Sequence, residues 1–185
     1  MAKKVYVFLV TGFEEIEAVS VVDVLRRAGV EVIMVSISAE ERKVTGAHDI
    51  EITADILFED VCYPDGDMLV LPGGQPGTDN LNAHKALKEL IQTYYDQQKY
   101  IAAICAAPLV LGGMGLLKGK KAVCYPGYED CLVGASIAQN ECVVVSDNII
   151  TSKGPGTAIE FALKLVEILV GKETAENLKK GMIVK

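Results

Sequence analysis

Runs of apolar residues alternate with amphipathic segments along most of the chain. The apolar runs have the length of strands and are nearly continuous, which is typical of strands covered on both faces of a parallel sheet. They lie at residues 5–10, 30–37, 68–71, 100–104 and 149–152. The pattern therefore predicts an α/β fold, with a mostly parallel central sheet and helices on both of its faces.

Helical periodicity fills the intervals between these strands. Residues 14–28 place Ala18, Val22 and Leu25 on one face of a helix, and Gly29 marks its end. The same pattern predicts further helices at residues 84–97, 156–170 and 173–180. Smaller elements are expected as an edge hairpin of residues 43–46 and 50–53, a strand at residues 121–125 and a hairpin around residues 142–146.

Composition and charge restrict the classes of partner. A chain of 185 residues with 50% hydrophobic content predicts one domain, residues 1–185, with a sizeable core. Its net charge of -7 makes nucleic acids and anionic membrane surfaces poor partners. No run approaches the roughly 18 apolar residues of a membrane span. The short apolar run after Lys3 and Lys4 is expected to be a first strand, not a signal peptide, and the protein to be cytoplasmic.

The cysteines and histidines form no metal-binding or disulfide pattern. The five cysteines are odd in number and have no Cys-x-x-Cys spacing, and only two histidines, His48 and His84, accompany them. We therefore expect no metal site and no disulfide framework. Four of the cysteines are expected to be buried or idle thiols, at positions 62, 124, 131 and 142.

Cys105 differs from the other cysteines in its position. It ends the apolar run of residues 100–104 and precedes Pro108, where a buried strand is expected to turn into a helix. Such a turn lifts a side chain out of the sheet, and the free amides at a helix start favour thiolate over thiol. The alternative is a small buried thiol that fills the core.

Four loops follow strands at the edge of the sheet where parallel α/β folds bind ligands. They comprise residues 12–17, residues 73–77, Cys105 and residues 153–157, and we expect them to converge on one pocket. The glycine-rich loop at 73–77 lacks the Lys-Ser/Thr ending of a phosphate loop, and no Gly-x-Gly-x-x-Gly opens the first helix, so no cofactor is expected. Its amides suit either an anion nest beside the cysteine or a tight turn.

Three carboxylates, Glu14, Glu15 and Glu17, lie at the start of the first helix. Favourable interaction with the helix dipole explains all three. A protonated carboxyl directed at the Cys105 thiol would in addition donate a hydrogen bond to the sulfur and favour its ionisation. Spacing alone does not say which glutamate this is.

Five segments together resemble the ThiJ/PfpI family, and within it the DJ-one branch with its bacterial members. They lie in order at residues 14–19, 22–29, 71–74, 102–108 and 151–157. The match runs from about residue 5 to 170 and is least clear at residues 124–142. The resemblance implies a flavodoxin-like three-layer sandwich of the class I glutamine amidotransferase-like superfamily, usually a homodimer.

The resemblance also implies a site. It places the reactive cysteine at Cys105 and its carboxyl partner, typically protonated, at Glu17. The implied oxyanion and pocket positions are Gly73, Gly74, Ala106, Tyr125 and Pro155. Tyr125 stands where many members have a histidine, and Ala106 where the protease branch has one. Peptide hydrolysis and glutaminase activity are therefore disfavoured, since both need that base.

Two functions remain open at this point. The first is a cofactor-independent glyoxalase or deglycase, in which Cys105 attacks a 2-oxoaldehyde such as methylglyoxal, or its adduct on a glycated protein, and Glu17 transfers the proton. The second is a redox sensor or chaperone that acts through oxidation of Cys105 to sulfinic acid. A nucleotide- or flavin-binding module is a third alternative.

Overall fold

The computed structural model describes residues 3–38 and 40–185. Within these residues, strands and helices alternate as the sequence pattern predicts. The strands are β1 (Lys4–Leu9), β2 (Glu31–Ser36), β3 (Lys43–Thr45), β4 (Glu51–Thr53), β5 (Ile56–Leu57), β6 (Met68–Leu71), β7 (Tyr100–Ile104), β8 (Lys121–Ala122), β9 (Ser136–Ile137), β10 (Val143–Ser146) and β11 (Ile149–Ser152). The helices are α1 (Glu15–Arg27), α2 (Gly77–Ala83), α3 (Lys85–Asp96), α4 (Pro108–Gly113), α5 (Ala158–Leu169) and α6 (Lys172–Gly181).

Seven of the strands form a central sheet in the order β10-β11-β7-β6-β1-β2-β5. Neighbours pair in parallel, except that β10 runs antiparallel to β11. Successive side chains of a strand point to opposite faces, so Val5, Val7 and Leu9 enter one core while Tyr6 and Phe8 enter the other. Helices α1, α5 and α6 cover the first face, and α2, α3 and α4 cover the second. The predicted three-layer α/β sandwich is confirmed.

The helices follow the prediction closely, with one addition. Helix α2 was not predicted, because its seven residues are mostly polar and offer no apolar stripe. The predicted helix at residues 156–170 begins as a 3-10 turn, Pro155–Thr157, before α5. In the part of the chain that the structure describes, no helix combines the length and apolar character that crossing a membrane requires.

The strand predicted at residues 121–125 ends early, at Ala122. Beyond it, the Val123 amide donates to the Thr151 hydroxyl at 3.0 Å, and the Tyr125 amide donates to the Cys105 carbonyl at 2.8 Å. These amides are therefore unavailable for a strand ladder. The edge hairpin was predicted correctly, although its strands β3 and β4 form a separate two-stranded sheet.

The carboxyl ends of β1, β6, β7 and β11 lie at the same edge of the sheet, because these strands are mutually parallel. The chain passes from β1 outwards to β2 on one side, and later returns to place β6 on the other side. Such a switch point leaves a crevice beyond the strand ends. The loops that follow β1 and β6 contain Glu14 and Gly73, so the predicted site lies at this crevice.

Candidate active site

Cys105 occupies a strained backbone turn directly after β7. Its φ of 66° lies in the left-handed region, which residues other than glycine rarely adopt. Two hydrogen bonds hold the turn: the Cys105 amide donates to the Ser152 carbonyl at 3.0 Å, and the Cys105 carbonyl accepts from the Tyr125 amide at 2.8 Å. The residue is only 8% exposed. Strain of this kind persists where neighbours fix the conformation, and it is common at active sites.

Gly73 brings the loop after β6 into contact with both Cys105 and Glu17. A Cβ atom at Gly73 would lie 2.5 Å from the Cys105 Cβ and 2.9 Å from the Glu17 Oε2. No larger residue fits here without displacing the site. The Gly73 amide donates to the Glu17 Oε2 at 2.8 Å, and the Gly73 carbonyl accepts from the Glu14 amide at 2.9 Å. The glycine loop therefore joins the cysteine turn to the start of α1.

Glu17 is fully buried in the first turn of α1. Burial raises the pKa of its carboxyl to about 7; the nearby charge of Glu14 acts in the same direction, while hydrogen bonding to the Gly73 amide and to Cys105 opposes the shift. Oε2 accepts the Gly73 amide, whereas Oε1 has no conventional hydrogen-bond partner among the described residues. Oε1 is therefore the oxygen better suited to carry the proton.

Burial also raises the pKa of the Cys105 thiol, to about 12, and the charge of Glu17 and its hydrogen bond add to this effect. The amides of Gly74 and Ala106 hydrogen-bond the sulfur and oppose it. The amides therefore act in the direction expected at a helix start, but burial and Glu17 outweigh them and the net pKa is raised. A thiolate is accessible here only while Glu17 holds the proton, since two buried anions would repel each other.

A cavity of about 590 Å³ opens onto the cysteine from solvent. Its lining is formed by Glu14, Glu15, Ile16, His48, Ile50, Cys105, Tyr125 and Pro155. The loops after β1, β7 and β11 thus meet in one place as predicted, whereas the loop after β6, with Gly73 and Gly74, packs beneath them and is not part of the lining. Lys153, in the loop after β11, is not part of this lining, and its ammonium donates to the Gln139 carbonyl.

The site contains a Glu15–His48 pair that the sequence interpretation missed. Glu15 accepts the His48 backbone amide through Oε1 at 2.7 Å and contacts the His48 Nδ1 through Oε2 at 2.8 Å. With Glu14, these side chains place ligand-type atoms within 4.8 Å of one another, but His48 already engages both Glu15 oxygens. From the sequence, Glu15 was explained by the helix dipole, and His48 was given no role. The predicted edge hairpin was the available signal, because its turn carries His48.

Comparison with known proteins gives a match over most of the chain. A model of the DJ-1/PfpI family matches residues 3–168. The chain belongs to this family. It is 39% identical over 185 residues to protein dj-1beta of Drosophila melanogaster, covering all of this chain and 98% of that protein. The crystal structure of Drosophila DJ-1beta superimposes with a TM-score of 0.95 over the full length of both chains. The flavodoxin-like fold of the family is thereby established for this protein.

Two further relatives bear on function. The chain is 38% identical over 169 residues to the glutathione-independent glyoxalase DJR-1.2 of Caenorhabditis elegans, covering 91% of this chain and 89% of the relative. The oxidized form of Toxoplasma gondii DJ-1 is 41% identical and gives a TM-score of 0.92, covering 98% of each chain. The chain spans only 42% of the length of Protein DJ-1 homolog B of Arabidopsis thaliana. These relatives are eukaryotic, and the bacterial placement within the family stays a prediction.

Proposed function

We propose that the protein is a cysteine-dependent glyoxalase or deglycase that needs no cofactor. Its substrates are 2-oxoaldehydes such as methylglyoxal, or their adducts on proteins, and its product is a 2-hydroxy acid. The observation that carries the proposal is the buried Glu17 carboxyl beside Cys105, with its pKa raised to about 7. A carboxyl with this pKa both accepts and releases a proton at neutral pH. The glyoxalase name of the Caenorhabditis elegans relative supports the assignment.

The chemistry begins when the Cys105 sulfur bonds to the aldehyde carbon and the thiol proton passes to the aldehyde oxygen. Glu17 then removes the proton from that carbon and returns it to the neighbouring carbon, while the hydroxyl proton of the first carbon passes to the ketone oxygen, so that the hemithioacetal becomes a thioester by way of an enediol. The amides of Gly74 and Ala106, whose interaction with the sulfur lowers the thiol pKa, also stabilise negative charge on the substrate oxygen in this scheme. Water finally cleaves the carbon–sulfur bond, which releases the 2-hydroxy acid and regenerates the thiol.

Lactate release from methylglyoxal tests this proposal. The wild-type protein should produce lactate, whereas the Cys105→Ser variant should produce none above the buffer control. The wild type and Cys105→Ser both keep the cavity and Glu17, so the sulfur is the only group that differs. Equal lactate release by the two proteins would refute the proposal.

A redox role for Cys105 is the second candidate. The amides of Gly74 and Ala106 and the raised pKa of Glu17 also suit a sulfinate at this position, since they supply hydrogen-bond donors to an anion. Mild peroxide should therefore add two oxygens to Cys105 before it oxidises Cys62 or Cys131, although both of these are exposed. Intact and peptide mass measurements decide this, and earlier oxidation of either exposed thiol counts against the sensor role.

A further inference from the structure

We propose that His48 is the general base that activates the water for hydrolysis of the Cys105 thioester, and that Glu15 positions its ring. This inference rests on the proposed glyoxalase function, because only that reaction passes through a thioester. The turn that carries Cys105 offers no histidine to act as a base in thioester hydrolysis. His48, in the turn of the β3–β4 hairpin, serves as this base instead.

The pair has the geometry of a carboxylate-oriented imidazole. Glu15 is 5% exposed and accepts two hydrogen bonds from His48, from its amide at 2.7 Å and from Nδ1 at 2.8 Å. Two contacts to one carboxylate fix both the backbone and the ring of His48. Gly46 permits this approach, because a Cβ atom there would lie 2.2 Å from the Glu15 Oε1. The turn of the hairpin therefore packs closely against the start of α1, which holds His48 beside Glu15.

This arrangement leaves the other ring nitrogen free. Burial alone would raise the pKa of Glu15, but the hydrogen bonds from the His48 ring and amide outweigh it and leave the pKa lowered. Glu15 is thus a carboxylate, Nδ1 is the protonated donor, and Nε2 of the neutral ring carries the lone pair. The His48 side chain is 69% exposed, and Nε2 has no partner among the described residues.

The other residues around the cavity are less suited to this step. The Glu14 carboxylate accepts the Glu17 amide at 2.7 Å as a helix cap, and Tyr125 offers a neutral phenol, which is a weaker base than a neutral imidazole. Glu17 lies beneath the cavity and is committed to the preceding proton transfer. Among the lining residues, His48 is the one whose neutral side chain presents a basic nitrogen to solvent.

The step balances without any reactant other than water. The water oxygen bonds to the thioester carbon while the His48 Nε2 takes one of its protons. The tetrahedral intermediate then collapses, the carbon–sulfur bond breaks and the proton passes from Nε2 to the departing sulfur. The products are the free 2-hydroxy acid and the Cys105 thiol, and both residues of the pair return to their starting states.

The pair also predicts a pH dependence. The hydrogen bond that His48 donates to Glu15 raises the pKa of His48 above its ordinary value of 6.5, and the charges of Glu15, Glu14 and Asp49 act in the same direction. Hydrolysis needs the neutral ring, so its rate should rise with pH through this raised pKa. The Glu15→Gln variant removes the main cause of the shift, and its profile should move to lower pH.

Single-turnover measurements with methylglyoxal test the inference. The protein is mixed with substrate, quenched in acid and analysed for lactate and for a thioester on Cys105, identified by its reaction with hydroxylamine after free aldehyde is removed. The His48→Ala variant should form the thioester at the wild-type rate but release lactate roughly 10²-fold more slowly, so that the thioester accumulates. Added imidazole should restore release. His84→Asn is the matched control, because it replaces the other histidine, which caps α3 outside the cavity, by another capping residue.

The outcomes separate this inference from the proposed function. If the wild-type protein releases no more lactate than Cys105→Ser, the glyoxalase function fails and the inference fails with it. If the wild-type protein is active and His48→Ala releases lactate equally fast with no thioester accumulating, only the inference is overturned. Failure of His48→Ala to form the thioester at all also overturns it, because the role would then precede hydrolysis.

Discussion

Glu17 and Cys105 are two acids buried against each other, and burial penalises the charged form of each. The pKa values of about 7 for Glu17 and about 12 for Cys105 mean that the pair gives up one proton near neutral pH and holds the second far into the alkaline range. The remaining proton is shared between carboxyl and thiol. A thiolate beside a protonated carboxyl is therefore a minor but constantly available state.

The raised pKa of Glu17 predicts a dependence of stability on pH. Its pKa is about 7 in the folded protein and near 4.5 when unperturbed, so between these values the folded state binds more protons than the unfolded state. The contribution of the Glu17 carboxyl to the free energy of unfolding is fully present below pH 4.5 and is lost as the pH rises towards 7. The Glu17→Gln variant lacks this loss. In urea denaturation, the advantage of Glu17→Gln over the wild type in free energy of unfolding should therefore increase from pH 4.5 to pH 7, by up to about 3 kcal/mol. An advantage that does not change with pH would contradict the raised pKa.

Gly73 provides a test of close packing in the site. The Gly73→Ala variant places a Cβ 2.5 Å from the Cys105 Cβ, so the loop must shift. We expect a loss of roughly 1–3 kcal/mol in the free energy of unfolding, together with loss of Cys105 reactivity. Gly113→Ala is the matched control, since a Cβ there meets no atom within 4 Å. Gly113 lies in α4, where alanine is favoured over glycine. Equal stability of the two variants would show that the loop is not confined as described.

At the scale of elements, the strands that the sequence predicted are those with an unambiguous apolar run. Strands β1, β2, β6, β7 and β11 agree with the prediction within one residue at each end or match it fully. The short elements β5, β9 and α2 carry too few apolar positions to show any period. The Glu15–His48 contact was not predictable either, because it joins residues 33 positions apart through the placement of a hairpin that sequence alone does not orient.

The segment after β8 gives a prediction at this scale. Its Val123 amide is buried and donates to the Thr151 Oγ1 at 3.0 Å, so this hydroxyl replaces a strand partner. The Thr151→Val variant keeps the shape and leaves the amide unpaired, which should cost roughly 1–3 kcal/mol of unfolding free energy. Thr151→Ser keeps the hydroxyl and should cost less. Chemical denaturation of both variants measures this, and a valine variant as stable as the serine variant would speak against the bond.

At the scale of the whole molecule, the family resemblance implies a homodimer and a single domain of residues 1–185, and both stay predictions. Exposed apolar side chains suit a self-association surface on α1 and the adjacent hairpin, with Ile16 57%, Val19 49% and Ile50 55% exposed. Ile16 and Val19 lie one turn apart on the outer side of α1. Because this surface borders the cavity, assembly and activity are expected to depend on each other.

Replacement of Val19 by Glu tests this surface. Val19 is half exposed, so the charge should leave the fold intact while it disfavours burial against a second copy. Light scattering should show a dimer for the wild type and a shift towards monomer for Val19→Glu. Val145→Glu is a matched control, because Val145 is similarly exposed, at 46%, on the edge strand β10. A wild-type monomer, or equal dissociation of both variants, would contradict the prediction.

The alkylation rate of Cys105 as a function of pH is the most direct test of the proton that Glu17 and Cys105 share. In the wild type, the rate should rise up to about pH 7 and then level off, because loss of the second proton requires a pH near 12. In Glu17→Gln the plateau should disappear and the rate should go on rising above pH 7, because the thiol then gives its proton to solvent and no neighbouring carboxylate raises its pKa. Peptide mass measurements follow Cys105 separately from the exposed Cys62. Identical profiles for the two proteins would contradict the shared proton, and with it the chemistry assigned to the site.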